Sequence, residues 1–269
     1  MVSIEKYIEV NKSLWNGKTP IHLKSDFYDV EGFKKGKSSL KPLEIEALGN
    51  VKGKSILHLQ CHFGMDSLSW ARLGAKVTGI DLSDKAIDAA IYLNDELGLD
   101  AEFICSNIYD LKNVLDKKFD IVFTSYGTIG WLPDLDKWAE IASHFLKEGG
   151  TFFIAEFHPV LWMFDDKFTR FQYSYFNDEA IIEECIGTYA ERDADFKHES
   201  YGWNHPLADV ISPLIKHGLS IELFEEFPYS YYNCFNNAVE IGEGKWQVKG
   251  FENKLPMMFS IKAVKRKKD

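Results

Sequence analysis

Short apolar runs bounded by turn residues alternate with amphipathic stretches between residues 55 and 157. Ser55–Gln60 (SILHLQ), Lys76–Ile80 (KVTGI), Glu102–Cys105, Phe119–Ser125 (FDIVFTS) and Thr151–Phe157 (TFFIAEF) read as five buried strands. Helices are predicted between them. One spans Asp66–Leu73, with Asp66 as its N-cap and Gly74 past its end. Another runs from Asp84 to about Leu97 under a Ser83 cap, and a third from about Leu135 to Leu146, leading through Gly149-Gly150 into the fifth strand. This alternation with short links predicts parallel strand–helix–strand units covered on both faces. Ligands of such sheets bind beyond the carboxyl ends of the strands, where the strand order reverses. The loops after the first four strands are therefore where chemistry is expected.

The flanks follow other rhythms. Ile4, Tyr7, Ile8 and Leu14 or Trp15 fall near helical spacing, and a loop-rich segment with Pro20, Gly32 and Gly36 is expected before a helix at about Lys41–Leu48. From about Val160 to His205 the alternation stops. That segment holds 11 aromatic residues in 46 and a net charge of −6. Its FQYSYF and AIIEECIGTYA runs are expected to be antiparallel strands, in an insertion packed over the mouth of the sheet. A helix at about Pro206–His217 and two strands, Leu219–Tyr229 and Met257–Lys265, close the pattern in the manner of a terminal β-hairpin. The division this suggests is a helical cap segment at 1–53 and one α/β domain at 54–269, with the insertion at about 160–205.

Composition narrows the class. The 269 residues are 45% hydrophobic and 27% charged, with a net charge of −10, a globular profile rather than a disordered or fibrous one. Residues 1–55 carry +3, residues 56–155 carry −7 and residues 156–269 carry −6. Without clustered cations, an extended nucleic-acid groove is not expected. The one basic run, Lys265–Lys268, is expected to be a solvated tail. No apolar run approaches the ~18 residues that span a bilayer, and no signal-peptide pattern opens the chain, so a cytoplasmic location is expected. Four scattered cysteines match no metal or disulfide spacing, and no metal is expected.

The informative block is SILHLQCHFGMDSLSWARLGAKVTGIDLS, residues 55–83. Asp81, at the end of its second strand, can accept both hydroxyls of an adenosine ribose. The preceding loop places Gln60, His62 and Met65 where a dinucleotide site needs glycines, with Gly only at 64, so it suits a pyrophosphate poorly. A sulfonium ligand with an amino-acid tail asks less of that loop. The block resembles the class I S-adenosylmethionine-dependent methyltransferases. ILHLQCHFG aligns with their first motif, GIDLS with the second, and ICSNIYD, FDIVFTSYGTIGWLPDLDKW and LKEGGTFFIAEFHP with the later ones. The departures are His58 in place of an acid, and Gln60 and His62 in place of glycines. These two side chains are expected to keep the loop out of positive φ.

The resemblance implies an α/β, Rossmann-like, doubly wound and mostly parallel seven-stranded sheet with a C-terminal β-hairpin and an antiparallel insertion. It also implies S-adenosylmethionine as cofactor. Gln60, His62 and Gly64 would surround its methionine portion, Asp81 would hold the ribose and Leu82 would pack on the adenine. Asn107 and the backbone of Ile108 would contact the adenine edge, while Ser125 and Tyr126 would lie beside the sulfonium and the substrate. Methyl transfer needs alignment above all, and a base only for a protonated nucleophile. His158, with Glu156 to orient it or to act as a strand-end salt-bridge partner, is the candidate base. Tyr126, Tyr175, Tyr189, Trp203 and His205 are candidate pocket walls. The acidic, aromatic insertion suggests a small-molecule acceptor, aromatic or cationic. Two other readings stay open: a non-catalytic adenosine-ligand or scaffold protein on the same fold, and an NAD-dependent oxidoreductase.

Overall fold

A computed structural model describes residues 4–177 and 179–267. The central sheet has seven strands: β1 (Ser55–Leu59), β2 (Lys76–Asp81), β3 (Glu102–Cys105), β4 (Phe119–Ser125), β5 (Leu146–Phe157), β8 (Leu219–Phe227) and β11 (Met258–Lys265). Their order is β3-β2-β1-β4-β5-β11-β8. The first five are parallel, and β11 is antiparallel to both β5 and β8. Strand order reverses between β1 and β4, so the loops after these strands part and leave a mouth between them.

Alternation along each strand sends successive residues to opposite faces. Leu57, Val122, Phe152 and Ile154 join one buried core with α6 (Leu135–Phe145) and α7 (Leu207–Lys216). Their neighbours Ile56, Ile121, Phe123 and Phe153 face another, with Trp70 of α4 (Met65–Arg72) and Leu48 of α3 (Pro42–Leu48). The helix α5 (Asp84–Glu96) is capped by Ser83, whose hydroxyl accepts the Ala86 N–H at 3.0 Å.

Several expectations need correction. The cap of α4 is Gly64 at φ 79°, because the loop turns back one residue early and leaves Asp66 inside the first turn. Pro20 does not break the N-terminal helix: α1 runs Ile4–His22, and Gly32 lies within a short helix, α2 (Val30–Lys34). The fifth strand begins at Leu146; its register with β4 shifts between Phe119 and Ile121, which accommodates the turn at Gly149. In the insertion, β6 (Ile181–Ile186) and β7 (Lys197–Gly202) pair antiparallel, but FQYSYF forms no strand. Its side chains bind singly instead: Tyr173 Oη donates to Glu183 at 2.6 Å, and Tyr175 Oη accepts the Leu207 N–H at 3.2 Å. The two last sheet strands are not joined by a tight turn; a second small hairpin, β9 (Ala238–Gly242) and β10 (Lys245–Val248), lies between them. In the basic run, Lys265 donates to the Ser143 and Leu146 carbonyls and so is not a free tail residue; Lys268 lies outside the described residues.

Candidate active site at the mouth of the sheet

The β1 loop is the floor of the mouth. Contrary to expectation, Gln60 and His62 adopt φ of 55° and 50°, so with Gly64 every second residue is left-handed. Such angles cost about 1 kcal/mol or more outside glycine, and surrounding bonds must hold them. Here they do. The His62 N–H donates to Asp81 Oδ2 at 2.8 Å, the Cys61 N–H to the Ile80 carbonyl at 2.8 Å, and Gln60 Nε2 to the Thr128 carbonyl at 2.9 Å. Gly64 is required for packing as well, because a Cβ there would meet the Phe103 ring at 2.7 Å.

Asp81 ends β2 with both carboxylate oxygens turned to backbone donors, the second being the Ser83 N–H at 2.9 Å. Burial pushes its pKa up to about 6, against the pull of those N–H groups. Gln60 Oε1 is buried and accepts no hydrogen bond. An orphan acceptor beside a strand-end carboxylate suits a ligand bearing an ammonium and a ribose.

Other expected contacts lie nearby. Leu82 is half-buried, and Ile108 belongs to the core under the sheet end. Asn107 caps the turn that follows β3, its oxygen accepting the Tyr109 N–H at 3.2 Å. The Ser125 hydroxyl, at the end of β4, donates to Asp66 Oδ2 at 3.1 Å and lies 3.5 Å from His58 Nε2. His58 Nδ1 meets Ser67 Oγ at 2.8 Å. Asp66 of α4 thus lies two contacts from His58, by way of Ser125.

His158 does not have the geometry of a base. Its Nδ1 accepts the Val160 N–H at 3.2 Å and its Nε2 faces Glu226 at 2.8 Å, so both ring nitrogens are engaged. Glu156 does not orient it and, among the described residues, forms no salt bridge. Its buried carboxylate accepts the backbone N–H groups of Gly127, Thr128, Ile129 and Phe157, and so shapes the turn after β4. Trp203 and His205 bind that turn from outside, through the Gly130 and Leu132 carbonyls.

The roof comes from segments that carry no motif. His62 turns its ring to His22 of α1, with 3.0 Å between His22 Nδ1 and His62 Nε2. Burial, then the Lys18 charge, push the His22 pKa down to about 3. Tyr28 and Tyr189 share a 2.5 Å hydroxyl contact beside this pair. Lys18 is 5% exposed and its ammonium stands 4.8 Å and 5.0 Å from the Trp15 and Trp131 ring centroids. A cavity of about 540 Å³ opens on the outer side of this roof, walled by Phe27, Tyr189, Tyr231, Tyr232 and Trp246. A buried lysine within helix α1 is a signal available in the sequence only once the apolar face of α1 is known to be covered.

Residues 56–150 match a family described as a methyltransferase domain. A ubiquinone biosynthesis O-methyltransferase of Xanthomonas euvesicatoria is 29% identical over 136 residues, which cover 49% of this chain and 56% of that protein. The chain thus spans about half the length of the curated relatives it matches. Among solved structures, an S-adenosylmethionine-dependent methyltransferase described as putative, from Listeria monocytogenes, superposes with a TM-score of 0.60 at 21% identity, over 82% of this chain and 94% of that one. One from Clostridium acetobutylicum gives 0.58 at 17% identity, over 96% and 99%. Among the described residues, no helix is long and apolar enough to cross a membrane.

Proposed function

For a chain that carries a methyltransferase domain over residues 56–150 and the fold of the class I S-adenosylmethionine-dependent methyltransferases, we propose methyl transfer from S-adenosylmethionine to a small-molecule acceptor. The observation that carries this reading is the strand-end carboxylate of Asp81, bound to the β1 loop through the His62 N–H, together with the orphan Gln60 Oε1 on that same loop, where strand order reverses. The residues present fit the cofactor: Asp81 holds the ribose, Gln60 Oε1 takes the ammonium, and Leu82, Asn107 and Ile108 border the adenine. When bound, the cofactor supplies a methyl group on a positively charged sulfur, already activated for displacement. The protein's part is alignment and the exclusion of water, which the aromatic roof provides; alignment alone can contribute roughly 7–11 kcal/mol.

The acceptor enters through the cavity on the outer side of the roof. Its five aromatic walls suit a flat ring, and Asp26, Glu191 and Asp193 beside Lys41 and Arg192 suit a polar or cationic substituent. The curated relatives' O-methyltransferase names favour a hydroxyl nucleophile.

Calorimetry with S-adenosylmethionine and with NADH tests the reading. Binding of the first alone, lost in Asp81→Ala, supports it; binding of neither leaves a scaffold protein, and binding of NADH alone an oxidoreductase. A panel of phenols, amines and thiols, followed by release of S-adenosylhomocysteine, then identifies the acceptor.

A further inference from the structure

Helix α1 carries one cation into the roof of the mouth. Asn11, Leu14, Lys18 and His22 recur at helical spacing and are buried on one face. Two polar clamps hold that face in place. Asn11 donates to the Tyr201 carbonyl at 2.8 Å and accepts the Tyr201 N–H at 3.1 Å. Asn16 donates to Asp84 at 2.9 Å and accepts the Ser83 hydroxyl at 2.6 Å, at the start of α5. Lys18 is thus placed by its helix and not by a partner of its own. Its ammonium lies 4.8 Å, 5.0 Å and 5.7 Å from the ring centroids of Trp15, Trp131 and Tyr189. Among the described residues, no carboxylate pairs with it and no oxygen accepts from it, although Lys18 is only 5% exposed. Burial pushes its pKa down to about 8, with the Cys185 thiol pulling the other way. Ring faces attract an ammonium but do not take its three N–H donors, and lysines so buried are as a rule paired.

The surroundings give this cation a use. The Thr128 carbonyl, in the turn after β4, accepts both Gln60 Nε2 at 2.9 Å and the Trp131 N–H at 3.2 Å. Gln60 brings to that turn its buried, donorless Oε1, and Lys18 stands over the Trp131 ring of the same turn. Trp15 joins the group to the β1 loop, its ring 5.3 Å from Trp131 and 5.2 Å from His62. A bare acceptor and an unpaired cation therefore flank one short turn, between the loops after β1 and β4. Those two needs match a ligand with an ammonium and a carboxylate on one carbon, an α-amino acid. The flexible four-carbon stem lets the Lys18 ammonium leave the ring faces for a carboxylate that enters between the two loops. On the cation's side, His22 adds a buried Nε2 without a partner. Lys18 and His22 lie outside residues 56–150, so the family match assigns neither a role.

We propose that Lys18 holds the carboxylate of the amino-acid tail of the adenosine ligand, opposite Gln60, which takes its ammonium. This rests on the methyltransferase reading above. The contact is an ion pair formed where water is scarce, so a ligand that lacks the carboxylate leaves the lysine unpaired and binds more weakly. Helix α1 thereby becomes part of the ligand site, and the clamps at Asn11 and Asn16 set where the ammonium stands.

The test is calorimetry of the full chain with S-adenosylhomocysteine and with its decarboxylated analogue, which keeps the ammonium and lacks the carboxylate. The wild type should bind the first about 30-fold more tightly. Lys18→Met keeps the apolar stem and removes the charge. It should bind the two ligands within about threefold of each other, with its affinity for the analogue within about twofold of the wild type's. Its ligand-free melting temperature should not fall, since an unpaired buried charge has gone. Lys18→Arg, which keeps the charge, should retain a preference of about tenfold or more. Equal weakening of both ligands in Lys18→Met, or an undiminished preference for the carboxylate, overturns the inference. So does a Lys18→Met that spares both ligands and raises only the KM of carboxylated acceptors, because the carboxylate is then the acceptor's. If the wild type binds neither adenosine ligand, the methyltransferase reading fails and this inference with it; equal binding of both by the wild type removes this inference alone.

Discussion

Asp81 in the floor of the mouth and Glu44 in its wall are both carboxyls withdrawn from water, and they differ in what replaces the water. Asp81 accepts two backbone N–H groups, one on each oxygen, and its pKa rises to about 6. Glu44 accepts one and leaves an oxygen bare, and its pKa rises to about 8. Burial raises both; backbone donors hold the Asp81 carboxyl back, while the Asp66 charge pushes Glu44 further up.

Glu156 offers the hardest test of that contrast, since four backbone N–H groups depend on it. Glu156→Ala should cost on the order of 4 kcal/mol in urea unfolding, by orphaning them together. A cost below about 1 kcal/mol would mean that the donors are satisfied elsewhere and the contrast has no force. Next comes the pH dependence of Glu44. Its folded pKa lies above its unfolded value, so the native state holds the extra proton between about pH 4.5 and 8. Its contribution to stability is complete below pH 4.5 and is lost as pH rises through 8. Relative to Glu44→Gln, the wild type should lose a few kcal/mol, on the order of 4–5, across that window in thermal or urea melts. Asp81→Ala should weaken S-adenosylmethionine binding by about 2–3 kcal/mol, some 30- to 150-fold in calorimetry, as a charged hydrogen-bond partner is removed. The smallest effect concerns the floor itself. Gln60→Gly should relieve left-handed strain and raise stability by up to about 1 kcal/mol while lowering cofactor affinity, which sets the cost of Gln60 against its use.

Much of this floor is legible in the sequence, because it is local. The β3 and β4 boundaries, the Ser83 cap and the strand-end position of Asp81 all follow from apolar runs and turn residues within a few positions of each other. The φ values of Gln60 and His62 are not legible, since the contacts that hold them come from Asp81 and Thr128, 19 and 68 residues on. Distance also hides the wall. Asp66 meets Ser125, and its charge reaches Glu44, only after the sheet is assembled. The FQYSYF run misleads for a different reason: its alternation matches a strand, but its side chains find separate partners on β6 and at the start of α7.

The place of β11 has a consequence for how the chain reaches this arrangement. It slots between β5 and β8 and supplies the ladder partners of both. Until it arrives, β8 has no neighbour in the sheet, and residues 228–257 must close as a loop first. Closing a flexible loop of that size is only modestly unfavourable, but strand pairing across it is slow. During synthesis, β8 therefore emerges as an open edge, and assembly of that half of the sheet waits on β11. The half that carries Asp81 is complete in sequence by Ser125, more than a hundred residues before β11, so the two halves of the sheet are separated in time as well as in space.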